Sequence, residues 1–196
     1  MFPIERTLII ACLALLLSGC GYNNLTAGDE QVKASWAEVI NQYQRRADLI
    51  PNLVATVKGY AAHERETLDS VVQARAQAAS FQVPQDITTN PEAMRQFQTH
   101  QDQLGSALAR LLVTVERYPD LKASQNFLTL QSQLEGTENR IAVARRDYIE
   151  AVRLYNTELK TIPGRWWRDW LYPENQPMAS FSAPEASAAG VPKVAF

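Results

Sequence analysis

Apolar residues recur at helical spacing almost without a break from Asp29 to Ile162, and this constrains the fold more than any other feature. Val32, Trp36, Val39, Tyr43, Ile50, Val54, Val57, Ala61, Leu68, Val71 and Ala78 return every 3.5 residues or so, about the period at which helices pack along one another as in coiled coils. A second seam runs through Met94, Phe97, Gln101, Leu104, Leu108, Leu111, Val115 and Tyr118. A third takes in Phe127, Leu130, Leu134, Thr137, Ile141, Ala144, Tyr148, Ala151, Tyr155, Leu159 and Ile162. No segment shows the alternation of a strand. The expectation is an all-α, up-and-down bundle of three long helices.

Punctuation residues divide these seams. Phe81–Asn90 reads as a loop, and Asn90-Pro91-Glu92 supplies a cap acceptor, a proline in the first turn and an early acid. Pro119 closes the second helix, Ser124 is placed to cap the third, and Pro163-Gly164 stops it. Pro51 removes a backbone donor and crowds the turn before it, which predicts a kink without a reversal. At ~1.5 Å per residue the first helix would span about 75 Å and the second about 40 Å. Three such helices would pack raggedly, and a break at Pro51 giving four segments would reconcile them. The third helix would then run away from the amino-terminal end, with Ile162 far from Cys20 unless Pro51 reverses the chain.

The amino terminus sets an address. The uncharged run Thr7–Leu17 is far short of the ~20 residues a membrane-spanning helix needs. It leads into Leu17-Ser18-Gly19-Cys20, which resembles the lipobox of bacterial lipoproteins. On this reading residues 1–19 are a signal peptide, Cys20 is the lipid attachment site, and palmitate-type acylation tethers the chain. Gly21 points to an outer-membrane location facing the periplasm if the cell is Gram-negative. The alternative is an uncleaved amino-terminal transmembrane helix in the plasma membrane, extended through Ser18–Leu25. Residues 20–28 then form a polar tether, 29–164 the bundle, 165–172 a Trp-rich amphipathic segment and 173–196 a mobile Pro/Ala/Ser-rich tail.

Several kinds of chemistry lack their residues. Of two cysteines, Cys12 lies in the signal and Cys20 takes the lipid, so no thiol remains for a disulfide or nucleophile. A net charge of −2 without a basic stripe argues against nucleic acid. His63-Glu64 begins a zinc-protease pattern, but Thr67 stands where the second histidine belongs. Di-iron bundles use Glu-x-x-His pairs, whereas Tyr60 and Phe97 precede His63 and His100. No catalytic residue, metal site or cofactor is therefore expected.

Two kinds of interaction site are candidates. Arg45, Arg46 and Asp48 lie one turn before Pro51, and Arg145-Arg146-Asp147 echoes them on the third helix. Either set serves an anionic partner or a structural ion-pair network, with Asn52 meeting the backbone groups freed by Pro51. Trp36, Tyr43, Tyr60, Phe97, Phe127, Tyr148 and Tyr155 fall in core positions. Trp166, Trp167 and Trp170, with Leu171, share a helical face that either meets lipid or protein or folds back as a bundle cap.

Longer motifs carry a family resemblance. Trp36-Ala37-Glu38-Val39-Ile40, the run Gln42–Val54 with its Arg-Arg-Ala-Asp-Leu-Ile-Pro-Asn-Leu-Val core, and Val57-Lys58-Gly59-Tyr60 resemble the LemA family. So do His63-Glu64, Ala144–Tyr148, Val152, Tyr155-Asn156, Ile162-Pro163-Gly164 and Pro192–Phe196. The resemblance implies an envelope protein with one amino-terminal membrane attachment and a long-helix bundle, and it brings no established reaction, substrate or cofactor. The expected function is a membrane-anchored, non-enzymatic scaffold or protein-binding module. A membrane-active protein that organises lipid is the alternative, and a hydrolase or metal enzyme has the least support. A protein partner is expected, and the same seams would serve a homo-oligomer.

Overall fold

A computed structural model describes residues 23–182, and within them every regular element is a helix. These are α1 (Asn24–Tyr60), α2 (Arg65–Ser80), α3 (Pro91–Val115), α4 (Pro119–Lys122), α5 (Gln125–Glu158) and α6 (Gly164–Leu171). The four long helices alternate in direction. α1 lies along α5 and α2 along α3, and the two pairs join face to face through their seams. The expected signal peptide (residues 1–19), Cys20 and the close at Val191–Phe196 lie outside the described residues.

The break in the first seam comes at residues 61–64, not at Pro51. α1 runs through Pro51, whose side of the helix faces solvent. The turn is closed by the Ala61 N–H donating to Val57 O at 2.8 Å and the Glu64 N–H donating to Ala61 O at 3.1 Å. Arg117 Nη2 and Tyr118 Oη donate to Glu64 Oε1 at 2.9 and 2.7 Å, pinning the corner to the end of α3. The seam concealed this corner because Ala61 and Leu68 are both buried one heptad apart, so the period survives the turn. Tyr60, expected in the core, is half exposed there.

Other starts and stops are closer to expectation. The Ala93 N–H donates to Asn90 Oδ1 at 3.1 Å, with Pro91 in the first turn of α3. Ser124 occupies the cap position of α5, but its hydroxyl makes no capping bond. Pro119 opens the short α4 instead of simply closing α3. Ile162 leaves the third seam and is exposed, whereas Leu159 is fully buried.

The interior divides into two apolar clusters. The near half, beside the start of α1, holds Leu25, Trp36, Tyr43, Phe97, Tyr148, Tyr155, Met178 and Phe181. The far half holds Ile50, Leu53, Leu68, Leu104, Leu108, Leu111, Leu121, Phe127 and Leu134. At ~1.5 Å per residue α2 is only about 24 Å long, too short to cover both halves. The loop residue Ile87 and the segment after α6 close the near half instead.

That segment corrects the expectation of a mobile tail for residues 173–182. Asn156 clasps it: Nδ2 donates to Met178 O at 2.9 Å, and the Met178 N–H donates to Oδ1 at 2.8 Å. Tyr148 Oη and Gln98 Nε2 donate to the carbonyls of Ala179 and Ser182, at 2.7 and 2.9 Å. The Ala179 N–H donates to Thr88 O at 2.7 Å. At the other terminus the expected tether is helical from Asn24. Leu25 is fully buried, and Gly28 passes so close to Tyr155 that a Cβ there would lie 3.2 Å from the ring.

Candidate functional site

Arg46 sits where the two halves meet. It follows Val32 and Val39 at heptad spacing and precedes Leu53 by the same interval, so the helix turns it inward at a position its neighbours fill with aliphatic groups. Its side chain is 4% exposed. A buried guanidinium needs partners on several sides. Nη1 donates to Glu138 Oε1 on α5 at 3.0 Å, and Nη2 donates to Gln101 O and Oε1 on α3 at 3.1 and 2.8 Å. The Tyr43 ring lies 5.0 Å from its Cζ. One cation thus ties three helices together through Nη1 and Nη2, while its buried Nε has no hydrogen-bond partner.

The remaining charges of these motifs diverge. Arg45 and Asp48 are exposed, and Asp48 accepts from Gln44 Nε2 at 2.9 Å. Arg146 pairs with its neighbour Asp147 at 3.2 Å on the surface. Arg145 stacks over Phe181, with Cζ 4.4 Å from the ring centroid, and so holds the tail. Burial pushes the Tyr43 hydroxyl pKa up, with Arg145 and Arg46 opposing it. The two Arg/Asp motifs lie on helices that pack together, but each described bond of Arg46 goes outside the second motif.

Pro51 leaves the Ala47 carbonyl without its helical donor, and Arg75 supplies one from α2: Nε donates to Ala47 O at 2.9 Å. The expectation had assigned such a role to Asn52. Arg75 is distant in sequence and carried no signal. Glu138 was likewise missed, whereas Gln101 was visible as a polar residue on an apolar seam.

The near half is built from rings. Trp36 meets Phe97 edge-on at 5.2 Å and lies 5.4 Å from Tyr148 and 6.1 Å from Phe181. Tyr43 also meets Phe97 edge-on, at 5.3 Å. Burial raises the pKa of the Tyr148 hydroxyl and pushes that of Tyr155 up to about 12.

The tryptophans of α6 do not share one face. Trp167 turns inward onto the near core, whereas Trp166 and Trp170 are 60% and 83% exposed. α6 packs against α1 at the end where the described chain begins. This overturns the expectation that Ile162 lies far from the amino-terminal end, because the corner at residues 61–64 adds a reversal.

Among the described residues, no group of three or more His, Cys, Asp or Glu is placed to hold a metal. No described helix is long and apolar enough to cross a membrane. An open groove of about 470 Å³ between α2 and α3 is lined by Ser70, Gln73, Asp102, Gln103 and Arg110.

Comparison with known proteins places this architecture. The chain is 25% identical over 171 residues to magnetosome proteins MamQ 1 and MamQ 2 of Paramagnetospirillum magneticum, covering 79% of this chain and 62% of each relative. It is 24% identical over 139 residues to protein LemA of Metamycoplasma hominis, covering 71% of this chain and 59% of that protein. The chain therefore spans less than two thirds of the length of these relatives. The LemA family model matches residues 35–196, which takes in Arg46, its partners on α3 and α5, the aromatic half and α6. The chain belongs to the LemA family.

Proposed function

We propose that this protein is a membrane-anchored, non-enzymatic helical scaffold of the bacterial cell envelope, tethered by lipid on Cys20 and presenting its bundle to a protein partner. The observation that carries this reading is how the buried and half-buried polar groups are used. Arg46, Gln101, Asn156 and Gln98 all bond to other parts of the bundle, which makes them struts between helices and tail. The apolar run before Cys20 and membership of the LemA family support the tethered arrangement.

Two measurements test the reading. Palmitate labelling sensitive to globomycin should occur in the wild type and vanish in Cys20→Ala; an unlabelled wild type removes the lipid anchor. Affinity recovery from detergent-solubilised membranes should yield a stoichiometric protein partner. Recovery with lipid alone would favour the second reading, a protein that organises membrane lipid, for which the exposed Trp166 and Trp170 speak.

A further inference from the structure

The outward face of α6 lies at the end of the bundle from which the chain leads back to Cys20. Ile162, Trp166, Trp170 and Leu171 are all exposed there. The two indoles are one helical turn apart and project from the same side. The platform beneath them is fixed. Gly164 abuts the end of α5 so closely that a Cβ would fall 2.2 Å from the Glu158 carbonyl oxygen, and Trp167 and Tyr172 pack on the near core. Thr26 Oγ1 donates to Tyr172 Oη at 3.5 Å, joining the first turn of α1 to the end of α6.

The reach of the chain identifies what covers this face. Cys20 stands three residues before Asn23, so even fully extended chain keeps it within about 11 Å of that residue. A lipid on Cys20 therefore holds the leaflet beside α6. Indoles favour the headgroup layer, where the ring is apolar and its N–H meets polar groups. Arg165 and Arg168 share the single carboxylate of Asp169, at 3.9 and 2.6 Å, which leaves one net positive charge beside the indoles, so the apolar rings and not a cationic cluster carry the contact.

We propose that Trp166 and Trp170, flanked by Ile162 and Leu171, form a second membrane contact that seats in the headgroup layer of the leaflet holding Cys20. This rests on the lipid-attachment reading above. The short leash makes the second contact intramolecular, so a weak surface suffices to fix how the bundle stands on the membrane.

Full-length lipidated protein in vesicles of phosphatidylethanolamine and phosphatidylcholine tests this, with and without bromine on the acyl chains near the headgroups. Bromolipid should remove roughly half of the tryptophan emission, since two of the four indoles would lie at the interface. Trp166→Ser/Trp170→Ser should still float with the vesicles through Cys20 and lose that quenching. Trp170→Phe, at the most exposed position, provides the same comparison if the double variant does not fold. Equal emission from plain and brominated vesicles, with the wild type floating, overturns the second contact and leaves the lipid anchor intact. A wild type that fails to float overturns both. Quenching that disappears as the density of protein on the vesicles is raised, or on adding a peptide of residues 183–196, would assign the face to a second copy or to the chain's own end and overturn the proposal.

Discussion

The two halves of the bundle solve the same packing problem with different materials. The far half is four long helices filled mainly with leucine, isoleucine and valine, with Phe127 its one buried ring, a shape that aliphatic seams can largely specify. The near half has three long helices and completes its fourth side with Ile87, Met178 and Phe181, stacked on Trp36, Phe97 and Tyr148. Aliphatic cores tolerate volume-conserving exchange, whereas ring stacks fix orientation. Arg46 lies on the boundary and belongs to neither.

The largest expected effect breaks the near half. Phe97→Ala removes a ring that touches Trp36, Tyr43 and Phe81 and should cost about 4 kcal/mol in urea unfolding. Leu111→Ala in the far half should cost about 3 kcal/mol and leave the tryptophan emission of the folded state unchanged, because Trp36 and Trp167 report only on the near cluster.

Arg46→Ala should cost about 3 kcal/mol, chiefly through the void and the stranded Gln101, because Glu138 reaches water. The sharper result concerns cooperativity. With the strut gone, unfolding followed by tryptophan emission should separate from unfolding followed by far-ultraviolet circular dichroism. Coincident curves would show that the halves couple without it.

Tyr155 gives the near half a signature at high pH. Burial raises its pKa from 10.0 to about 12, so its contribution is complete below pH 10 and is lost as the pH rises toward 12. The loss should be on the order of 1–2 kcal/mol. Tyr155→Phe should flatten this part of the stability profile.

The smallest effect is release of the tail. Asn156→Ala removes both bonds to Met178 and should cost about 1–2 kcal/mol. Amide exchange should quicken around Tyr148 and Phe181 and stay unchanged around Leu111.

Helical class and most core positions were legible because burial follows the period of the helix, as at Val39, Leu104 and Tyr148. The corner at residues 61–64 was hidden because it preserves that period and contains neither Gly nor Pro. Pro51 was misleading for the opposite reason: a strong local signal was offset by Arg75 from another helix. Arg46 could be read as buried from its heptad position, but Glu138 as its partner depends on how α1 and α5 align. The tail looked mobile because its composition is that of a linker. Its order comes from amides on Asn156 and Gln98, which no local pattern announces. The tryptophan face was split for a similar reason, since which indole turns inward depends on where α6 meets α1.

The docked tail also sets an order of events during synthesis. Every buried residue of the far half has been translated once Leu134 emerges, whereas Trp36 must wait for Phe181. In chain order the aliphatic end is thus complete first, and the aromatic end is the last to shut. Its rings stay open to solvent, and to any chaperone escorting the chain, until almost the whole protein has been made.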